Sequence, residues 1–597
     1  MKKLLRKKTT ILNFSILLCL ILITSCADKD SDTVIKIDDR KISFEEFQSR
    51  LNSIPQTLKL PIHELKQNLT ATLIAETVFS CEAQKEKLDT LKRVSLLAEE
   101  YKNEALYEEW MNKEVRAKIN VSEKEILDAY PKFVEKRSVN FWTVKSLAES
   151  EKLRKGLLKG NKLDIQPQFK EIEYSVSLPE IENAVYNLKS GEISDPILVD
   201  SLYYIFKLVT KEPVAEFKKY SRNELLPEVE KRVRERKEKY SVDQKISSLM
   251  NDRSFSINKQ AYNFLLQQLY PVIYNRNGLK YKNPESIQYE LLVSEIRKEN
   301  SFKQTLITFD DNSNWTVEDC WEMISVSPYP LNYENPNDLE KGLFDVLKRI
   351  ILLNSVSQDA LQREYNNTGY VKQQSAMWQT NILAQSYISK AREEIFIEDE
   401  RLIQIYDSTK YDFMQPEKFK IIPLIVKDKK LSNKLYKRII AGTDIVKITK
   451  QYSLNKLAVN SKEPGLYITR NMWGKIGEAL VNMKPGDISK PIENKDGTFA
   501  IVKLLEIKRP APFEFEKIKD KVYSLAVDKQ LQNRLNNYLR EVIANYKISI
   551  DQKLIDKIEY FGGNMGIKKT HFPIRSSVPM FPFFDHKAKW YRDIAGL

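Results

Sequence analysis

Most of this chain reads as two passes through one pattern. Val34-Ile35-Lys36-Ile37-Asp38-Asp39 leads into Ile42-Ser43-Phe44-Glu45-Glu46-Phe47, and Ile307-Thr308-Phe309-Asp310-Asp311 leads into Trp315-Thr316-Val317-Glu318-Asp319-Cys320. Each passage reads as a strand, a turn and a helix start. Ser43 and Thr316 are good N-caps, with Glu46 and Asp319 three residues on, which is capping-box spacing. The echo continues where Val121-Ser122-Glu123-Lys124-Glu125-Ile126 meets Ile397-Glu398-Asp399-Glu400-Arg401-Leu402, and where Phe141-Trp142-Thr143-Val144-Lys145 meets Pro423-Leu424-Ile425-Val426-Lys427. Gly191-Glu192-Ile193-Ser194-Asp195-Pro196-Ile197 then matches Gly486-Asp487-Ile488-Ser489-Lys490-Pro491-Ile492, and Ile205-Phe206-Lys207-Leu208 matches Ile501-Val502-Lys503-Leu504. The offsets rise steadily, 273, 276, 282, 295 and 296, as one duplication with insertions in its second copy requires.

Each repeat predicts a helical segment, a compact α/β unit and a helical tail. The predicted fold class is therefore α+β multidomain, with helical segments and two small α/β domains from an internal duplication. The boundaries run as follows: a signal peptide over 1–25, a tether over 26–32, a first helical domain over 33–136 and a first α/β domain over 137–212. A helical linker region (213–304), a second helical domain (305–417), a second α/β domain (418–508), a helical segment (509–558) and an aromatic tail (559–597) complete the chain. First strands are expected at Phe141–Lys145 and Phe419–Val426, and last strands at Leu202–Val209 and Phe499–Ile507, all rich in β-branched and aromatic residues. The charged run Lys231–Lys237 reads as a solvated helix face.

Residues 1–10 carry five Lys or Arg, an apolar run follows from Ile11 to Ile23, and the segment ends in Ile23-Thr24-Ser25-Cys26. That is a secretory signal, too short for a comfortable membrane span of ~20 residues. The Ser-Cys ending resembles a bacterial lipobox, which implies cleavage before Cys26 and a lipid on its sulfur. Removing 1–25 takes the net charge from +14 to +9. Export excludes nucleic acid as a partner, and the charge reads as solvated surface or as a face for lipid headgroups and acidic segments. Four cysteines without paired spacing exclude a disulfide scaffold. Three histidines, His63, His571 and His586, leave no metal cluster and weaken any Ser-His-Asp hydrolase reading. No cofactor is expected.

The α/β unit resembles the parvulin-type peptidyl-prolyl isomerase domain, most fully in the second repeat. Tyr452-Ser453 precedes Pro464-Gly465-Leu466-Tyr467; Met472, Ile476 and Ala479-Leu480 follow; the Gly-acid-x-Ser-x-Pro turn and Phe499-Ala500-Ile501-Val502 close the order. With helical segments in front, the whole looks like the SurA-, PpiD- and PrsA-type chaperones and foldases. A second helical segment before the second unit departs from the usual single one.

The resemblance implies isomerase chemistry, which the residues can be held against. Twisting a peptide bond faces a barrier of ~18–20 kcal/mol. A catalyst needs an apolar proline pocket and polar groups that stabilise the twisted amide. Parvulins place histidines on the first and last strands. Those positions fall here on Phe141 and Tyr204 in the first repeat and on Pro423 and Ala500 in the second. No histidine lies between His63 and His571, so no small shift of alignment restores one. The family's pocket Met and Phe positions fall on Met472 and Ile476, and on Ser177 and Ile181 in the first repeat. Tyr452, Met472, Ile476 and Phe499 are the peptide-binding candidates, with core packing the alternative for Met472 and Ile476.

The expected function is an envelope lipoprotein chaperone, SurA-like, that binds unfolded exported or outer-membrane polypeptides through weak or inactive isomerase domains. An active prolyl isomerase is one alternative, and a structural subunit of an envelope assembly or secretion complex is another. The expected place is the bacterial cell envelope, lipid-anchored in the outer membrane and facing the periplasm. The tail, with Pro579-Met580-Phe581-Pro582-Phe583-Phe584 and Trp590-Tyr591, is too aromatic for a solvated end. It either packs onto its own domain or docks a membrane-protein partner.

Overall fold

The computed structural model describes residues 32–54, 60–160, 165–174, 176–199, 201–251, 254–274, 300–327, 331, 336–460, 463–494, 496–561 and 581–596. Cys26, the signal and nearly all of the tether lie outside the described residues. The chain divides into two compact units, one running to Ile388 and resuming at Val542, the other Ser389–Glu541.

The first unit opens with the antiparallel strands β1 (Thr33–Ile37) and β2 (Arg40–Ser43), turned at Asp38 with φ 48°. Ser43 caps α1 (Phe44–Asn52) by accepting from Glu46 N–H. The helices α2 (Ile62–Lys85) and α3 (Lys92–Trp110) follow. A capping box of Ser122 and Glu125 starts α4 (Glu123–Phe133). The first α/β region is β3 (Glu135–Val144), α5 (Leu147–Leu158), β4 (Gln168–Ile172), α6 (Pro179–Tyr186), β5 (Ile197–Val199) and β6 (Leu202–Pro213). Its sheet is antiparallel in the order β4-β3-β6-β5. Strand β3 starts at Glu135, well before Phe141. Its polar start is held by Arg137, whose guanidinium donates to the carbonyls of Val185, Tyr186 and Leu188 at 2.9–3.0 Å and so closes the end of α6.

The long helix α7 (Arg222–Asn251) leads to β7 (Phe255–Ile257), α8 (Lys259–Ile273), β8 (Thr305–Phe309) and β9 (Asn314–Thr316). Thr316 and Asp319 form the expected capping box at α9 (Val317–Val326), and α10 (Pro336–Gln362) and α11 (Gly369–Glu393) follow. The side chains of Leu106 and Trp110 on α3 share a core with Val242 on α7 and with Leu353 and Val356 on α10. Within the first unit, α3 of segment 33–136 therefore packs against α10 of the second repeat.

The second unit holds α12 (Asp399–Thr409), β10 (Met414–Gln415), β11 (Lys418–Val426), α13 (Lys429–Ile440), α14 (Ile445–Tyr452), β12 (Leu466–Thr469), α15 (Lys475–Leu480), β13 (Ile492–Glu493), β14 (Phe499–Lys508), β15 (Ala511–Pro512) and most of α16 (Phe515–Val542). Its main sheet is antiparallel in the order β12-β11-β14-β13. The chain then returns to the first unit as β16 (Ile548–Ile550), α17 (Gln552–Asp556) and α18 (Lys589–Ala595).

The segment 509–558, expected to be helical, thus contains a strand, and so does the linker region 213–304. Strand β16 pairs antiparallel with β1, and β7 with β8. Ile550, Ser549 and Ile548 face Ile35, Lys36 and Ile37; Ile257, Ser256 and Phe255 face Ile307, Thr308 and Phe309. Asp38 N–H donates to Lys547 O at 2.9 Å, and Asp310 N–H to Ser254 O at 3.1 Å. The tail strand of each repeat completes the opening sheet of the other.

Among the described residues, the end of the aromatic tail packs on its own chain. Phe584, Trp590 and Tyr591 are buried, Phe584 N–H donates to Thr72 Oγ1 at 3.0 Å, and the ring of Phe584 lies 6.0 Å from Phe79 on α2. These three rings serve the packing alternative, while Phe561 and Phe583 of the same tail are exposed.

Candidate functional site

The sheet of the second unit positions the residues singled out from the sequence. Strands β11 and β14 are central, and their register pairs Pro423 with Val502 and Ile425 with Ala500. In the first repeat the same register pairs Phe141 with Phe206 and Thr143 with Tyr204. Both first strands carry a bulge at the matching place, Ser138/Val139 and Lys420/Ile421. Strand pairing thus puts Phe141 level with Pro423, and Tyr204 level with Ala500.

The Gly-acid-x-Ser turns agree bond for bond. Gly191 (φ 84°) and Gly486 (φ 99°) take a backbone conformation that favours glycine. Their N–H groups donate to Leu208 O and Leu504 O at 2.8 Å. The acids bond back: Lys189 N–H to Glu192 and Lys484 N–H to Asp487, both at 2.7 Å. Ser194 Oγ accepts from Phe206 N–H, and Ser489 Oγ from Val502 N–H, both at 2.9 Å. The serine is therefore structural, holding the last strand to the turn.

Strand alternation divides the sheet of the second unit into two faces. One face packs Phe419, Ile421, Ala500, Val502 and Leu504 against Ile476 and Leu480. Trp473 and Met483 pack on the same cluster, and Ala500 is completely buried. The other face packs Ile422, Leu424, Phe499 and Ile501 with Tyr452 against α13 and α14. The four peptide-binding candidates do not converge. Ile476 is on the first face, Tyr452 and Phe499 are in the core behind the sheet, and Met472 is 46% exposed on the loop before α15. That loop lies tight on the helix: a Cβ at Gly477 would sit 2.0 Å from Arg470 O. Phe419, Ile421, Ala500 and Val502 provide neither a proton donor nor a general acid for a twisted amide; the indole of Trp473, packed on the same cluster, carries one N–H donor.

The first repeat fills the equivalent face with rings. Phe141, Tyr204 and Phe206 lie within about 6 Å of one another, with Tyr204 and Phe206 nearly parallel at 10°. Ile181 on α6 belongs to the same cluster. The neighbouring polar groups serve the fold: the carboxylate of Glu182, 1% exposed, pairs with Arg236 on α7 at 2.7 Å. Burial, with Glu182 nearby, pushes the Tyr186 phenol well above its usual pKa, so it stays neutral. Sequence reasoning missed Arg137 and Arg236, because a buried arginine reads as surface until its carbonyl or carboxylate partners are known.

Comparison with known proteins finds matches over parts of the chain. Residues 397–520 match the PPIC-type PPIASE domain, so the chain carries one parvulin-type domain. Over part of its length the chain is similar to parvulin-type isomerases and foldases. Its relatives include the foldase protein PrsA of Geobacillus sp. (strain WCH70), 25% identical over 261 residues, which are 39% of this chain and 91% of the relative. The PrsA of Caldanaerobacter subterraneus is 26% identical over 149 residues, or 24% of this chain and 47% of the relative, so there the match spans about half of that protein. Solved structures are more distant. A SurA-like chaperone from Campylobacter jejuni has 13% identity and a TM-score of 0.24, covering 42% of this chain and all of the other. PrsA of Bacillus subtilis has 16% identity and a TM-score of 0.16, covering 43% and 94%.

Among the described residues, no helix is long and apolar enough to cross a membrane, and no group of three His, Cys, Asp or Glu is placed to hold a metal ion.

Proposed function

We propose that this chain is an extracytoplasmic holding chaperone, lipid-anchored at Cys26, that binds unfolded exported or outer-membrane polypeptides and isomerises proline poorly. The observation that carries this reading is the hydrocarbon face around Ala500 in the domain that matches the isomerase family. A twisted amide gains its stabilisation from donors aimed at the developing charge, and Phe419, Ile421, Ala500 and Val502 supply none, with the Trp473 indole N–H the one side-chain donor among the residues packed there. Two such units on one chain add avidity for a long client. The equal sheet orders, bulges and turns support a duplication as the origin of the two units, the first being a second, degenerate parvulin-like domain. The signal and Cys26 support an outer-membrane anchor facing the periplasm.

Delayed aggregation of an unfolded outer-membrane protein by the mature chain at equimolar ratio is the expected result. An unchanged aggregation rate excludes the chaperone reading. Labelled palmitate should enter the wild-type protein and not Cys26→Ala; equal labelling excludes the anchor. An active isomerase is favoured by the family match itself and by the exposed Met472. It requires acceleration of proline exchange that falls on Met472→Ala.

A further inference from the structure

Strand β16 is the outer strand of its sheet, and among the described residues no strand covers its far edge. Its bonds to β1 run through alternate residues. Asp38 N–H donates to Lys547 O, and Asp551 N–H to Val34 O, both at 2.9 Å, with Ser549 facing Lys36 between them. In an antiparallel ladder the residues between such pairs turn their backbone groups the other way. The N–H and C=O groups of Ile548 and Ile550 therefore point out of the open edge. A cavity of about 440 Å³ lies against that edge. Its apolar wall includes Ile62, Ile548, Ile550, Tyr591 and Ile594.

The cavity also holds a buried cation. Lys66 is 8% exposed and donates to Asp556 O at 2.9 Å, yet no carboxylate of the described residues lies within ion-pair distance. The carboxylate of Asp556 is engaged by Gln552 Nε2 at 2.8 Å and only partly offsets the burial that lowers the pKa of Lys66. The other titratable groups on the cavity are His63, exposed at its mouth, and the phenol of Tyr591, which burial pushes up to about 12 and so keeps neutral. A buried ammonium of this kind favours a carboxylate. The matching edge at β7 is different: its cavity carries Glu340 and Asp345 beside Lys259 and Lys341.

We propose that the open edge of β16 takes an extended polypeptide segment as an added strand, its apolar side chains in the cavity and an acidic side chain against Lys66. Backbone complementarity supplies the direction, and the lone cation supplies the choice of charge. The inference rests on the chaperone reading above and names a site and a class of segment for it.

The probe is an end-blocked fluorescent decapeptide of alternating Val and Ser with one central Glu, titrated into the full mature chain by anisotropy. Binding should weaken about tenfold, the worth of one charged hydrogen bond, with Lys66→Met or with Gln in place of the peptide's Glu, and combining the two should cost no more. N-methylation of alternate peptide residues should abolish binding in one register and spare it in the other. No binding, or binding indifferent to Lys66→Met, to the peptide's Glu and to N-methylation, overturns the site. If aggregation of an unfolded exported protein is still suppressed in that case, the chaperone reading survives without this edge. If the probe binds as stated but aggregation is unaffected, the edge site stands and the chaperone reading falls.

Discussion

Ser489 Oγ holds Val502 N–H inside the second unit, and Ser194 Oγ does the same for Phe206 in the first. Replacing either by Ala leaves a buried N–H without its hydroxyl partner, so each substitution should lower unfolding free energy by about 1–3 kcal/mol. Met472→Ala, at an exposed loop position, should cost within about 0.5 kcal/mol. Urea melts of the three variants check the contrast. At the same scale Trp590→Ala should be severe, about 3–5 kcal/mol, since the indole is 1% exposed. Glu114 gives a pH prediction. Lys118, with Tyr365, Lys245 and Arg363 behind it, holds the carboxylate at about 2 against an ordinary value of 4.5. A depressed acid binds its proton more readily when unfolded, so its contribution is full above the unfolded value and is lost as pH falls from about 4.5 towards 2. Glu114→Gln should flatten that part of the stability profile. These residues also mark what the sequence alone could reveal. Gly486 and Ser489 announced a turn by type and spacing. Glu114 announced only its i,i+4 partner Lys118, because Lys245, Arg363 and Tyr365 come from two other segments.

At the scale of elements, the regular pieces were readable and the shortest were not. The caps at Ser43 and Thr316, the last strands and the equivalence of Phe141 and Pro423 followed from periodicity and order, whereas the capping box at Ser122 and the early start of β3 did not. The tail strands β7 and β16 did not, since three residues between helices are too few for alternation to decide. A signal did exist: Phe255-Ser256-Ile257-Asn258 and Ile548-Ser549-Ile550-Asp551 share one pattern, and Asn258 and Asp551 both cap the next helix. The candidate site suffered from a different limit. Tyr452 and Phe499 are aromatic and near Met472 in sequence, but sheet alternation sends Phe499 behind the sheet, with Tyr452 in that rear core. Proline gives a test of strand parity. Ser549→Pro removes an N–H that serves the ladder, whereas Ile550→Pro removes one that faces the open edge. The first should be the less stable by about 1–3 kcal/mol; equal melting points would contradict the register.

For the whole molecule, the exchange of tail strands binds sequence-distant parts of the first unit. Strand β7 belongs to the first repeat and closes the sheet of the second, while β16 does the reverse. The shared core of α3, α7 and α10 adds apolar burial between the same two halves. A protease site inserted within residues 280–290 and then cut should leave two pieces that co-elute under native conditions; separation of the pieces would show that the exchange does not hold them. The account as a whole turns on the apolar face of the family-matching domain. NMR exchange spectroscopy on a proline peptide, with the full mature chain added at catalytic and then stoichiometric amounts, tests it most directly. The account predicts peptide shifts that report binding, and a cis/trans rate unchanged from the uncatalysed tens to hundreds of seconds. Clear acceleration at catalytic amounts would contradict it and would require a polar group that Phe419, Ile421, Ala500 and Val502 do not provide.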